Sequence, residues 1–182
     1  MKTLLATALL LCTGFAHAHS DVDVSAAASI QVTEVGSVFS QPGETRSDFV
    51  KRASQDFVAY TAKTGHEACG VVSVLKDGAD GVRPTFSIKI VTLGSQIACG
   101  TRKEDVVDGY VSMGDTAHSH PEKRSIRLTA VDMLLRGNPA GQLRTESVNN
   151  CRFSGQDFKQ SGFLFACGKV FYQNGRGTEK EL

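Results

Sequence analysis

Two histidines set two residues apart are the first chemistry this sequence offers. His118-Ser119-His120-Pro121 closes the run from Tyr110 to Ala117. In an extended chain the side chains alternate between faces, so residues two apart point the same way. His118 and His120 therefore present two imidazoles to one metal ion. Pro121 has no backbone N–H and ends the strand there. An H-x-H alone also describes an ordinary polar strand end. A metal site needs a third ligand, a base and a frame that holds them.

Glu67 is the candidate base. It stands at the mouth of the apolar run Ala68 to Leu75, in His66-Glu67-Ala68-Cys69-Gly70. It does not belong to an H-E-x-x-H helix, because Gly70 occupies the second histidine position. The alternative for Glu67 is a solvent-facing strand start. A candidate for the third ligand lies in Ser154-Gly155-Gln156-Asp157. S-x-x-D is a helix-opening pattern, with Ser154 as cap and Asp157 one turn on. In that geometry the hydroxyl and the carboxylate share a face, about 5–6 Å apart between β-carbons. Both can then face a metal held by His118 and His120.

The elements that must position these groups are legible in outline. Glu44 to Thr64 reads as a helix, with Phe49, Ala53 and Phe57 recurring on one face beside Val50 and Val58. Gly65 stands where a C-cap glycine belongs. Ala68–Leu75 and Thr85–Leu93 read as a hairpin joined by the turn Lys76–Gly81. Gly109–Ala117 leads into the histidines, and Phe163–Cys167 with Lys169–Gln173 forms a second hairpin. Ser29–Val35 alternates weakly and suggests an edge strand. Residues 122–128 read as irregular. Thr129–Arg136 is a brief helix capped by Thr129 and ended by Gly137, Asn138–Gly141 is a turn, and Ser154–Gln160 is a second brief helix. The expectation is an α+β domain: a mixed β-sheet of about five or six strands packed against one long helix, with short helices near the site.

The 182 residues allow one domain, and a hydrophobic fraction of 41% is ordinary for a globular protein. Lys2, the apolar run Leu4–Leu11 and Ala16-His17-Ala18 read as a signal peptide over residues 1–18. Its apolar run falls short of the about 20 residues that span a bilayer, and no other segment is apolar enough to cross one. Residues 19–43 are expected to be a flexible lead-in, 44–175 the domain, and 176–182 a frayed tail. Losing Lys2 from the 20 basic residues leaves 19 against 19 acidic ones. That balance gives no electrostatic case for nucleic acid or an anionic membrane.

Export to a secreted or periplasmic location changes the meaning of the cysteines. Cys12 leaves with the leader, and Cys69, Cys99, Cys151 and Cys167 remain. None belongs to a C-x-x-C pair, so two disulfides are expected rather than a zinc knuckle, with three connectivities open.

Glu67 in E-x-C-G at a strand start, H-S-H-P at the end of a later strand and S-x-x-D beyond it together resemble the JAMM metalloproteases of the MPN-like (cytidine-deaminase-like) fold. The resemblance runs from about Glu44 to Gln173 and is nearest to bacterial secreted JAB-like domains, in which a cysteine often follows the glutamate. It implies a Zn²⁺ held by His118, His120 and Asp157, with water in the fourth position. It implies Glu67 as proton acceptor and donor, and Ser154 as donor to the developing oxyanion. The reaction implied is hydrolysis of an amide or isopeptide bond in a protein or peptide substrate, cell-wall peptides included. It also suggests the pairing Cys69–Cys99 and Cys151–Cys167.

This chain departs from the family in one respect. Its S-x-x-D lies far beyond H-S-H-P, and Thr129-Ala130-Val131-Asp132 stands nearer the family spacing. Asp157 is preferred as the ligand because the closing strand pair follows it and because Cys151 and Cys167 bracket it. Asp132, with Thr129, is the alternative. Two other functions are kept beside the hydrolase: a catalytically inactive MPN-like module that binds a protein partner, and an exported structural domain stapled by two disulfides.

Overall fold

The computed structural model describes residues 29–77, 84–102, 104–123, 125–137 and 145–182. The expected signal peptide, most of the turn after Lys76 and the turn at Asn138–Gly141 lie outside them. The architecture is α+β. A mixed seven-stranded sheet runs in the order β1 (Thr33–Phe39), β3 (Phe86–Thr92), β2 (Cys69–Leu75), β4 (Tyr110–Ser119), β7 (Gly162–Ala166), β8 (Lys169–Gln173), β9 (Lys180–Glu181). Every pairing is antiparallel except β4 with β7, which run parallel. A second sheet pairs β5 (Ser125–Arg127) with β6 (Thr145–Ser147).

The sheet has one strand more than the upper end of the five or six expected, the two-residue β9 at its polar C-terminal edge. β1 begins at Thr33, four residues beyond the expected start, and is mostly exposed. The edge strand expected within the lead-in is present, running on to Phe39 rather than ending at Val35. The expected frayed tail is paired as well: β9 bonds to β8, and Leu182 N–H donates to Val170 O at 3.0 Å. Within the stretch expected to be irregular, Ser125–Arg127 form β5. Three residues are too few to show a period.

Helix α1 (Arg46–Thr64) starts two residues later than expected. The hydroxyl of Thr45 accepts from Asp48 N–H at 3.2 Å, which makes Thr45 the cap. Glu44 stays outside and pairs with Arg52 at 2.9 Å. Gly65 closes the helix at φ 75°, a left-handed conformation that glycine adopts without penalty. Phe49, Val50, Ala53 and Phe57 are buried in one core with Val72, Ile88, Ala117, Phe163 and Phe165. Phe57 meets Phe165 edge-on, ring centroids 5.0 Å apart.

Gly162 allows the parallel pairing of β7 with β4. A side chain there would come within 2.8 Å of Thr116 O. A second, smaller core joins Ile126, Leu128 and Met133, under the six-residue helix α2 (Ala130–Leu135). No helix among the described residues is long and apolar enough to cross a membrane.

Candidate metal centre

The candidate residues gather at the end of β4, where the sheet changes from antiparallel to parallel pairing. Alternation along β4 divides its last residues between two faces. Ala117 belongs to the core under α1. Ser119 points the same way: its Oγ lies 2.6 Å from Thr61 Oγ1 on α1, and it accepts from Ala68 N–H at 3.2 Å. His118 and His120 therefore project from the opposite face, with ring centroids 4.9 Å apart. Ser119 is the pin between them, fixing the strand end to both α1 and the start of β2.

Glu67 lies two residues before β2 and is buried. Its backbone is held on both sides. Its N–H donates to Ser95 O at 2.7 Å, and its carbonyl accepts from Thr92 Oγ1 at 2.7 Å. The side chain reaches back toward the histidines, with Oε1 3.7 Å from His120 Nε2. Burial pushes the Glu67 carboxyl up to about 8; the His118 imidazole opposes the rise, and Asp157 and Asp132 add to it.

Asp157 opens a single 3₁₀ turn, Asp157–Lys159, in place of the expected helix Ser154–Gln160. The expected cap is also reversed. The Asp157 carboxylate accepts from Ser154 N–H at 2.6 Å, while Ser154 Oγ makes no hydrogen bond within the described chain. That leaves the hydroxyl of Ser154 on the cavity wall. Asp157 Oδ1 lies 3.5 Å from His118 Nε2. Burial by itself would raise the Asp157 carboxyl, but His118, and then His120 and the Ser154 N–H, hold it well below the usual carboxylate range. Burial likewise opposes protonation of His118, and the Asp157 carboxylate outweighs it and pushes the imidazole up.

His118, His120 and Asp157 each offer one ligand atom, all within 4.8 Å of one another. The fit to a metal rests on His118. Its Nε2 is buried and has no hydrogen-bond partner among the described residues, because the 3.5 Å approach of Asp157 is too long for a directed bond. A buried polar atom left without a partner is costly. A cation shared by the three groups would satisfy it. His120 is oriented for the same role. Its Nδ1 lies 3.1 Å from the carbonyl of Asn150, which can only accept, so the proton sits on Nδ1 and Nε2 keeps its lone pair. Two imidazoles and one carboxylate form a donor set that suits zinc.

Asp132 lies elsewhere. It is fully buried and closes a capping box at α2 with Thr129. Its Oδ2 accepts from Thr129 N–H at 2.7 Å and Thr129 Oγ1 at 2.8 Å. Its Oδ1 accepts from Ser95 Oγ at 2.6 Å and Gln96 N–H at 2.9 Å. Asp132 thus holds the segment whose carbonyl holds Glu67.

Two disulfides frame the centre. Cys69 pairs with Cys99, and Cys151 with Cys167. The second ties the loop that carries Asn150, Ser154 and Asp157 to the end of β7. Asn150 Nδ2 donates to Pro121 O at 2.7 Å and draws the same loop against the end of β4. A cavity of about 440 Å³ opens over Glu67, His118, His120 and Asp157.

Thr61, Ser95 and Asn150 were not singled out from the sequence. Ser119 had a signal, since alternation sends it to the helix side. Asn150 had none, because its carbonyl, which any residue possesses, and its amide meet partners that only tertiary folding brings near. Comparison of the chain with protein-family models, with curated proteins and with solved structures finds no match.

Proposed function

We propose that this chain is an exported zinc-dependent hydrolase of amide or isopeptide bonds, of the JAMM kind, acting on a protein or peptide substrate. The observation that carries the reading is the convergence of His118, His120 and Asp157, with the buried Nε2 of His118 lacking a hydrogen bond among the described residues and facing Asp157 Oδ1. The two disulfides support export, since such bonds persist in oxidising compartments.

A zinc ion held by His118, His120 and Asp157 would supply Lewis acidity and a water acidified to near neutrality. Glu67, buried beside His120, takes the proton of the attacking water on a carboxylate oxygen and passes it to the leaving nitrogen. A single carboxylate placed beside the site serves both halves of that transfer, as base and then as acid. The Ser154 hydroxyl, uncommitted within the described chain, donates to the oxygen on which charge develops. The Asn150 carbonyl keeps the His120 ring in one tautomer throughout.

The test is turnover of a panel of fluorogenic amide and lysine-isopeptide substrates. Hydrolysis should stop on chelation, return with added zinc, and be lost in Glu67→Gln while zinc stays bound. Turnover that survives chelation would reject the proposal, as would no turnover of any member by the zinc-loaded protein.

A further inference from the structure

The cavity over the candidate centre is uneven in charge. Glu67 and Asp157 are the acidic residues in its lining, whereas Arg136, Arg152 and Lys159 are basic. Three of these charges are accounted for within the chain, Glu67 among them, since it faces His120 at 3.7 Å. Asp157 faces His118, and Arg136 pairs with Glu146 at 3.1 Å. Two cations are not. Lys159 Nζ donates to a neutral amide, Gln156 Oε1, at 2.8 Å and is in no ion pair among the described residues. Arg152 is exposed and likewise in no ion pair among the described residues. Arg152 and Lys159 flank the segment that carries Ser154 and Asp157, one on each side in sequence.

A cleft lined by unbalanced charge of one sign concentrates ligands of the other. A guanidinium adds geometry, since its paired N–H groups match the two oxygens of a carboxylate. Another part of the lining is apolar, from Ile97, Ala98 and Val148. That combination suits a short side chain next to a carboxylate better than a uniformly charged polymer.

We propose that this cleft takes a peptide bearing a carboxylate close to the bond to be cut, held by Arg152 and Lys159. The carboxylate can be a free C-terminus or an acidic side chain. The inference names the substrate of the hydrolase reading and so rests on it, but the binding preference can be read without turnover.

The experiment uses Glu67→Gln protein, loaded with zinc and stripped of it. Three probes are titrated calorimetrically at low salt. They are acetyl-dialanine with a free C-terminus, acetyl-alanyl-aspartate diamide with a side-chain carboxylate only, and acetyl-dialanine amide with none. One of the two acidic peptides should bind about tenfold or more tighter than the neutral one, with and without zinc. Adding Arg152→Gln and Lys159→Gln together should bring the ratio within about twofold, at unchanged zinc content. The stronger acidic probe identifies the source of the carboxylate. A ratio near one, no measurable binding of any probe, or a preference that appears only with zinc and survives the double substitution would each overturn the proposal. The last result would belong to the metal itself. A chain that binds no zinc yet keeps the preference would reject the hydrolase reading and leave this one standing.

Discussion

His118 Nε2 and Asp157 Oδ1 stand 3.5 Å apart across the gap between the end of β4 and the 3₁₀ turn. The two residues are 39 positions apart in sequence and belong to different elements. Each holds the other in its charged form: the carboxyl is kept low and the imidazole high, although burial acts the other way on both. A proton on His118 occupies the place a metal would take, so proton and metal would compete for this pair.

Asp132 is the test of which carboxylate does what. It is fully buried and accepts from Ser95, Gln96 and Thr129. Asp132→Ala should leave those donors without a partner and cost about 2–4 kcal/mol of stability, read from urea unfolding. Zinc stoichiometry should be unchanged. Loss of zinc with little loss of stability would instead make Asp132 the ligand.

Ser119 should matter for the fold more than its small size suggests. Its hydroxyl is the partner of Thr61 Oγ1 and of Ala68 N–H, all buried. Ser119→Ala should destabilise the protein by about 1–3 kcal/mol. Thr61→Val in the same background should recover part of that, because it removes the stranded hydroxyl. Additive losses in the double variant would show that the two hydroxyls do not serve one another.

The pH dependence of the zinc-free protein should carry the mark of Glu67. Its carboxyl is pushed from its ordinary 4.5 up to about 8 by burial first. An acid whose pKa is higher folded than unfolded binds its proton more tightly in the folded state. Its contribution is therefore present at low pH and lost as pH rises through that window. Between about pH 5 and about pH 8, wild type should lose stability relative to Glu67→Gln by on the order of a few kcal/mol. Urea unfolding of both at several pH values measures this, and parallel profiles would contradict it.

Much of the frame was legible in the sequence, for reasons that can be named. The four-residue recurrence of Phe49, Ala53 and Phe57 marks α1, and Gly65 marks its end. The strands around the site are apolar runs bounded by turn residues, so β2, β3, β4, β7 and β8 appear within one to two residues of their expected ends. The edge strands were harder. β1 is exposed along most of its length, so its weak alternation placed it four residues early, and β9 is two residues long and shows no period. The Ser154 cap was misread because S-x-x-D fits a cap in which either partner accepts. Here the carboxylate accepts from the Ser154 backbone, which leaves the hydroxyl in the cavity. The roles of Ser95 and Asn150 were out of reach, since the partners of their carbonyls and side chains are brought near only by tertiary folding.

The central claim is that His118, His120 and Asp157 hold one metal ion. The most direct measurement is elemental analysis of the oxidised, refolded protein after dialysis against zinc, with His120→Ala and Asp157→Ala carried in parallel. The account predicts about one zinc per chain in the wild type and close to none in either variant, with both variants folded by circular dichroism. Equal zinc in all three proteins, or none in the wild type, would contradict it.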